Sequence, residues 1–575
     1  MTDHRITYRR LSRRKFLTIA GSSAAAAWLA ACARQAGPQV AAPAVTPTRT
    51  DTGLATVAPS SAAPLTGKGT GIAILASGAE ADPWDPALAT RATSAQIMYN
   101  IYDAPFRFEG WDLVNWLAEN HTFSEDAKTL TVKLREGTRF HDGTEMKASD
   151  VVFSMKRMIE MQGPMSLLWT GIVEPDGITT IDDYSFKISA LQPYLPLVET
   201  LAWVYVLNEK QVMAHVEGDD YGTNWLGQND AGSGPFMVKE VQPGERVRFD
   251  RFPDFWGGWG PKYLDGWVFE VIREPATIRL AMQTGQAHAV QLWSIDVDSH
   301  ETIRDTGATD MFDYPIPSIV CIKMNNQKWP TNNKDFRKAM AYAFDYDAVI
   351  QGLLKGESDY VFGPYPKGFE FWKSFEGSDM LYRRDLDRAR HHLEQSGFDP
   401  TSESLKYNYR SFDPTQRDYG LVLQASLKEL GVNVELEGLT GPEFAERQKN
   451  PENAVHFNRI SGRGLMSDPD FYCREFFYSG TWEGKTGYWA TMSFYKNDRV
   501  DELLDEARHG ADQEARQKMY EEVQDNIYDD APDIWVDQQR FIVSIAKNLK
   551  RFEPKPLGGN PIGFYPMYFE TGGTS

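Results

Sequence analysis

The sequence predicts an α/β protein of more than one lobe, and three observations carry that expectation. Segments with strand periodicity alternate with segments of amphipathic helical periodicity. Helical patterns stop at glycines and, in one case, feed straight into the next strand. Beyond Gly69 the chain runs on for about 500 residues, too many for one ordinary hydrophobic core.

Taken in chain order, the first segment is an address. Ser12, Arg13, Arg14, Lys15, Phe16 and Leu17 precede a weakly apolar, alanine-rich run from Ile19 to Ala31, which reads as a twin-arginine export signal. The run is short and rich in Ala and Ser, whereas a spanning helix needs about 20 strongly apolar residues. Leu29, Ala30 and Ala31 lead to Cys32, a small-residue cleavage site of lipoprotein type in which Cys32 becomes the acylated N-terminus. The alternative is a plain cleaved leader with an incidental cysteine.

From Ala33 to Lys68 the chain is dominated by Ala, Pro, Thr, Ser and Gly, with no periodicity that could build a core, and reads as a disordered tether. As a flexible coil it would reach roughly 30 to 35 Å. The leader carries six Lys or Arg against one Asp, so the formal charge of -20 falls to about -25 once it is removed. That balance argues against a nucleic-acid partner. Only Cys321 and Cys473 remain after Cys32, so no disulfide framework is expected, and free buried thiols are preferred to a pair.

Within the body, Leu130, Val132 and Leu134 alternate with Thr131, Lys133 and Arg135 as a half-buried strand, followed by a turn at Asp142 and Gly143. Phe336, Ala339, Met340, Ala343 and Phe344 define one apolar helix face. Tyr419, Val422, Leu423, Ser426, Leu427 and Leu430 define another, closed by Gly431, after which Val432, Val434 and Leu436 alternate as a strand. Leu386, Ala389 and Leu393 make a third face, ending at Gly397.

Several separated blocks resemble a known family. LTVKLREGTRFHDGTEMKASDVVFSMKRM from Leu130 gives the strand, the Phe, His, Asp, Gly turn and the next helix, with Lys147 where a Ser or Thr cap is usual. Gly232 to Phe236, RFPDFWGG from Arg251, RLAMQTGQ from Arg279, FRKAMAYAFDYDAVI from Phe336, LDRARHHLEQSG from Leu386, Asp468 with Pro469, and NDRVDELLDEAR from Asn497 leading into APDIWV follow in order. Together they resemble the large extracellular solute-binding proteins of ABC transporters, family 5, which include oligopeptide, dipeptide and nickel receptors.

The resemblance implies a two-lobed, type II periplasmic-binding-protein-like α/β fold with an extra α/β domain inserted in the first lobe. On that basis 1–31 is the signal, 32–68 the lipidated cysteine and tether, 69–115 and 229–318 the first lobe, 116–228 the inserted domain, 319–540 the second lobe and 541–575 the return. The crossings fall near Ile319 to Asn325 and Ile534 to Val543. It also implies a monomer that captures a small-molecule ligand by lobe closure and delivers it to the transmembrane subunits of an ABC permease, with the membrane reached through the lipid anchor.

By family position the ligand contacts are Tyr99, Tyr102 and Asp103 in the first lobe, and Arg463, Leu465, Asp468 and Trp482 in the second; ordinary core packing is the competing reading for each aromatic. Peptide receptors of this kind usually place an acid just before the Asp-Pro pair to hold the ligand's ammonium. Here Gly464, Leu465, Met466 and Ser467 offer none, which argues against a classical short peptide, while Arg463 could hold a carboxylate or phosphate. Trp256 with Trp259, and Trp482 with Trp489, keep a sugar open as ligand, and an opine-like acid or a metal chelate also fits.

No HExxH, paired CxxC or GxSxG is present in the body, so no catalytic residue, metal or cofactor is predicted. GTWEGKT from Gly480 is one residue short of a phosphate loop and lacks a preceding strand. The rival classes are a secreted lipoprotein hydrolase of glycosidase type, using paired carboxylates, and a ligand sensor without transport.

Overall fold

The computed structural model describes residues 71–80, 83–89, 91–411, 413–483, 492–557 and 559–570. The leader, Cys32, the tether and Trp489 lie outside the described residues.

Two unusually long strands, Thr309–Met324 and Asp533–Ala546, pair antiparallel and form the spine of the molecule. They sit in the middle of an 11-stranded sheet. On one side lie Phe457–Arg463, Leu405–Arg410 and Val434–Leu439; on the other, Ala289–Gln291, Ile72–Ser77, Gly266–Val271, Arg246–Arg251 and Phe236–Gln242. Parallel pairs such as Ile72–Ser77 with Gly266–Val271 and Leu405–Arg410 with Val434–Leu439 have helices in their connections, which is the α/β arrangement the alternating pattern predicts.

The spine divides into two halves with different cores. Thr309 to Pro315 face Arg540 to Ala546, and Tyr314, Ile316, Phe541 and Val543 belong to a core with Leu75, Ile97, Trp267 and Phe564. After a register shift, Ile319 to Lys323 face Asp533 to Gln538, and Ile319, Ile322 and Ile534 join a second core with Phe336, Tyr407, Leu423 and Tyr520. The chain therefore passes between lobes at Pro315–Ser318, a little before the predicted Ile319 to Asn325. Proline at 315 and 317 explains the break, since neither residue has an N–H for the ladder.

A third core belongs to a four-stranded antiparallel sheet, Ala118–Phe123, Thr129–Leu134, Ser185–Ala190 and Val173–Asp182, covered by helix Ala148–Glu160. Leu130, Val132 and Leu134 point into it, as their alternation predicts. The sequence reading extends this inserted domain to 228, but Leu207, Val212 and Leu226 pack into the first-lobe core instead, so the chain returns earlier. Helix Ala148–Glu160 starts without a side-chain cap from Lys147; Asp150 compensates by accepting the Lys147 backbone N–H at 2.8 Å.

The inserted domain is tied to the first lobe by a buried ion pair. Arg157 of that helix donates to both oxygens of Asp85, at 2.7 and 2.6 Å. The other helix faces also form: Lys334–Ala343 buries Phe336, Ala339 and Met340, while Gly397 and Gly431 adopt the left-handed backbone expected at helix ends. Cys321 and Cys473 are buried free thiols whose ionisation burial opposes.

A candidate solute cleft between the lobes

The first-lobe wall of the cleft begins where helix Ala92–Ile101 ends. Gly232 and Gly234 let the chain pass against this helix end; a β-carbon at Gly232 would stand 2.1 Å from the Ile101 carbonyl oxygen, so no larger residue fits. The passage brings Ser233 to Asp103. Its carboxylate accepts Trp116 Nε1–H at 2.7 Å on one oxygen, and Ser233 Oγ–H at 2.9 Å and Trp256 Nε1–H at 3.0 Å on the other. Burial raises the Asp103 pKa, and these donors pull it back.

Beside Asp103 the Arg107 guanidinium is sandwiched between aromatic faces, 3.6 Å from the Tyr99 ring and 4.3 Å from the Trp116 ring. Tyr99, Tyr102, Arg107, Trp116, Trp203 and Tyr205 line a cavity of about 20 Å³, room for about one water. The hydroxyls of Tyr99 and Tyr102 are buried there without a hydrogen-bond partner among the described residues. Both groups have pKa values raised by burial.

The second lobe closes directly on this wall. Trp203 Nε1–H donates to the Leu465 carbonyl at 3.0 Å. Glu199, on the short helix Leu197–Thr200, accepts Ser467 N–H at 2.8 Å, Ser467 Oγ–H at 2.7 Å and Asp468 N–H at 3.3 Å. Met466 joins the inserted domain's core outright. Burial, with the neighbouring Asp468 carboxylate, pushes the Glu199 pKa up to about 7. Further along, Tyr194 OH donates to Asp470 Oδ2 at 3.2 Å.

A second cavity, about 360 Å³, opens near the crossing strands. Leu292, Asp296 and Val297 line it from the first lobe, and Ser358, Tyr419 and Arg459 from the second. Arg459 lies 4.6 Å over the Tyr419 ring, and Tyr419 OH donates to Asp537 Oδ1 at 2.6 Å. Its size falls in the range of small-molecule sites. Lys355 and Asp298 bridge the lobes nearby at 2.6 Å.

The seven predicted contacts separate into three groups. Tyr99, Tyr102 and Asp103 come together at the first cavity, although Asp103 is fully engaged by Trp and Ser donors. Leu465 meets them through Trp203, and Arg463 stands two residues before it at the end of its strand. Arg463, Leu465, Asp468 and Trp482 line neither cavity. Asp468 caps helix Pro469–Phe477 through Asp470 N–H at 2.9 Å and pairs with buried Arg516 at 2.7 Å, so it holds the loop. Trp482 donates to the Tyr495 carbonyl at 2.9 Å, inside the second lobe.

The sequence reading missed Arg107, Trp116, Glu199, Trp203 and Arg459. For Arg459 a signal existed: it is four residues before Arg463 on one face of the same strand. The others carry no local pattern.

A long sheet crossed twice between lobes, with aromatic and cationic groups facing across a cleft, defines a two-lobed solute-binding protein. Residues 112–484 match the model of the bacterial extracellular solute-binding proteins, family 5. The chain belongs to that family. It is 28% identical over 495 residues to the probable D,D-dipeptide-binding periplasmic protein DdpA of Escherichia coli (strain K12), covering 84% of this chain and 92% of that protein. Among solved structures, the ABC transporter substrate-binding protein CtaP from Listeria monocytogenes aligns with a TM-score of 0.76 at 22% identity, covering 87% of this chain and 99% of its own. The periplasmic binding protein DppA from Helicobacter pylori, in complex with the peptide STSA, aligns with a TM-score of 0.71 at 24% identity, covering 87% and 98%.

Proposed function

We propose that this chain is the exported, lipid-anchored receptor of an ABC importer, and that it captures a small peptide-like solute by closing two lobes over it. The observation that carries the reading is the set of cross-lobe contacts around the first cavity: Trp203 to Leu465, and Glu199 to Ser467 and Asp468. Groups of this kind are satisfied only when the lobes meet, so a solute that touches both lobes shifts the equilibrium toward closure by its differential affinity. A permease that engages both lobes then reads closure and not the solute itself.

Cys32 supplies the anchor and 33–68 the tether, with export through the twin-arginine leader; these readings rest on the sequence. A hydrolase needs a carboxylate free to act, and the Asp103 carboxylate at the first cavity is already taken by Trp116, Trp256 and Ser233. The test is titration calorimetry of the full chain with dipeptides, N-acetyl dipeptides, opine-like acids and oligosaccharides. One class should bind with one site per chain and return unchanged. New reducing ends in the recovered sugars would replace this reading with the hydrolase.

A further inference from the structure

The hairpin of strands Phe106–Glu109 and Asp112–Asn115 turns in two residues, Gly110 and Trp111. Gly110 takes a φ of +66°, as the first residue of so tight a turn requires, and the second is ordinarily small or polar because a turn tip faces water. A tryptophan there exposes a large apolar ring unless another part of the molecule covers it. Trp111 is half-buried, and what covers it is the second lobe: it packs against the core that contains Phe336, Tyr365 and Phe369.

The arm that carries Trp111 is fixed to the first lobe. Phe106, Arg107 and Phe108 line the first cavity, with Arg107 held between Tyr99 and Trp116. Glu109 pairs with Lys555 of the return segment. The loop that receives the ring is fixed in turn to the lobe crossing. Lys367 N–H donates to Gln538 Oε1 at 2.9 Å, and Gln538 Nε2 donates to the carbonyls of Lys367 and Ile316, each at 3.1 Å. Glu370 N–H reaches the Ser467 carbonyl at 2.9 Å, which ties this loop to the one that Trp203 and Glu199 hold.

Between arm and loop stands Gly368. Its φ of +112° favours glycine, and a β-carbon there would lie 2.8 Å from Cη2 and from Cζ3 of Trp111. The indole therefore occupies the space that a side chain at 368 would need. Neither residue lines a cavity. We propose that Trp111 is a positioning residue for solute capture: its ring docks on Gly368 when the lobes meet and holds the closed form without touching the solute. Gln538 joins the docking loop to the crossing strands. The inference rests on the lobe-closure reading above and adds a contact that acts with no solute present. A residue that favours the closed form raises affinity in proportion to the closed fraction, with every solute contact unchanged.

The test uses the full chain and three variants: Trp111→Ser, which suits the second position of the turn; Gly368→Ala; and the two combined. Hydroxyl-radical footprinting, read by mass spectrometry at the peptide that holds Trp111, measures how far the ring is covered. Without solute, Gly368→Ala should raise Trp111 oxidation about threefold over the parent, because the docked position is blocked. A dipeptide pool should lower Trp111 oxidation in the parent as it closes the lobes, and in calorimetry should bind Trp111→Ser about fivefold more weakly.

The combined variant separates docking from backbone strain. Alanine at this φ strains the loop in either background, whereas its clash with the ring exists only where Trp111 is present. Gly368→Ala should therefore weaken binding clearly more in the parent than in the Trp111→Ser background. Equal losses in the two backgrounds, or unchanged Trp111 oxidation in Gly368→Ala, overturn the proposal. If the pool protects Trp111 in the parent yet Trp111→Ser binds as the parent does, closure stands and the latch is overturned. If the pool binds and changes no oxidation anywhere in the chain, the closure reading has failed and the latch with it. If the pool does not bind the parent, the peptide-like reading has failed, and the solute-free footprint judges the latch alone: the rise in Gly368→Ala supports it and its absence overturns it.

Discussion

Replacing Glu199 by Gln should make lobe closure insensitive to pH. In an open form the Glu199 carboxylate faces water and titrates near its usual 4.5, whereas in the closed form its pKa is about 7. The sign follows directly. Below pH 4.5 the group is protonated in both forms and its contribution to closure is complete; between 4.5 and 7 closing takes up a proton; above 7 the closed form must hold a buried carboxylate. The separation corresponds to about 3 kcal/mol, on the order of a hundredfold in the closure equilibrium between pH 4 and pH 8. The nearby Asp468, raised to about 6 by burial against the pull of Arg516, stays with its partner inside the second lobe and adds little to the difference.

The variant suits the geometry. Ser467 N–H and Asp468 N–H both point at one Glu199 oxygen and Ser467 Oγ at the other. A Gln oxygen can accept the two backbone donors, and its amide can donate to the hydroxyl. Small-angle scattering of the full chain at pH 5 and pH 8 reads the effect: the parent should be more compact at pH 5, and E199Q should be equally compact at both. Parallel pH profiles for the two proteins would refute the reasoning.

Three further outcomes are expected. Asp85→Asn removes the counter-charge of Arg157, which is buried at 2% exposure, and leaves it one acceptor oxygen; it should cost about 3 to 5 kcal/mol in urea unfolding, and a loss below about 1 kcal/mol would contradict the pairing. Trp203→Ala removes both a cavity wall and the bond to Leu465, and should weaken solute affinity at least tenfold, roughly 1.4 kcal/mol, with a small change in thermal stability. Cys32→Ser should move the exported protein from the detergent phase to the aqueous phase, and unchanged partition would remove the lipid anchor.

Periodicity makes much of the scaffold legible in the sequence. Alternation at Leu130, Val132 and Leu134, the face at Phe336, Ala339 and Met340, and the glycines at 397 and 431 are local signals, and each sits where its pattern places it. The site is a different kind of object. Asp103 is satisfied by Trp116, Ser233 and Trp256, residues separated by up to 153 positions, and no short pattern links them. Trp256 and Gly234 were visible as parts of family blocks, but their physical use, donating to Asp103 and passing close to Ile101, depends on tertiary packing. Asp468 shows the converse: an acid at a suggestive position whose oxygens are spent on a helix cap and on Arg516.

The boundary of the inserted domain failed for the same reason. Leu207, Val212 and Leu226 carry the same apolar character whichever core receives them. Arg459 and Arg463 are readable as cations, but that Nε of the first and Nη2 of the second are buried without a hydrogen-bond partner among the described residues depends on neighbours brought in from elsewhere in the chain.

Native mass spectrometry of the full chain, isolated with whatever solute it carries, addresses the receptor claim most directly. A single intact small molecule per chain is expected, released on unfolding, chemically unchanged, able to rebind the parent and failing to rebind the Trp203→Ala variant. A solute recovered in cleaved form, or one that rebinds W203A as well as it rebinds the parent, would contradict capture in the cleft.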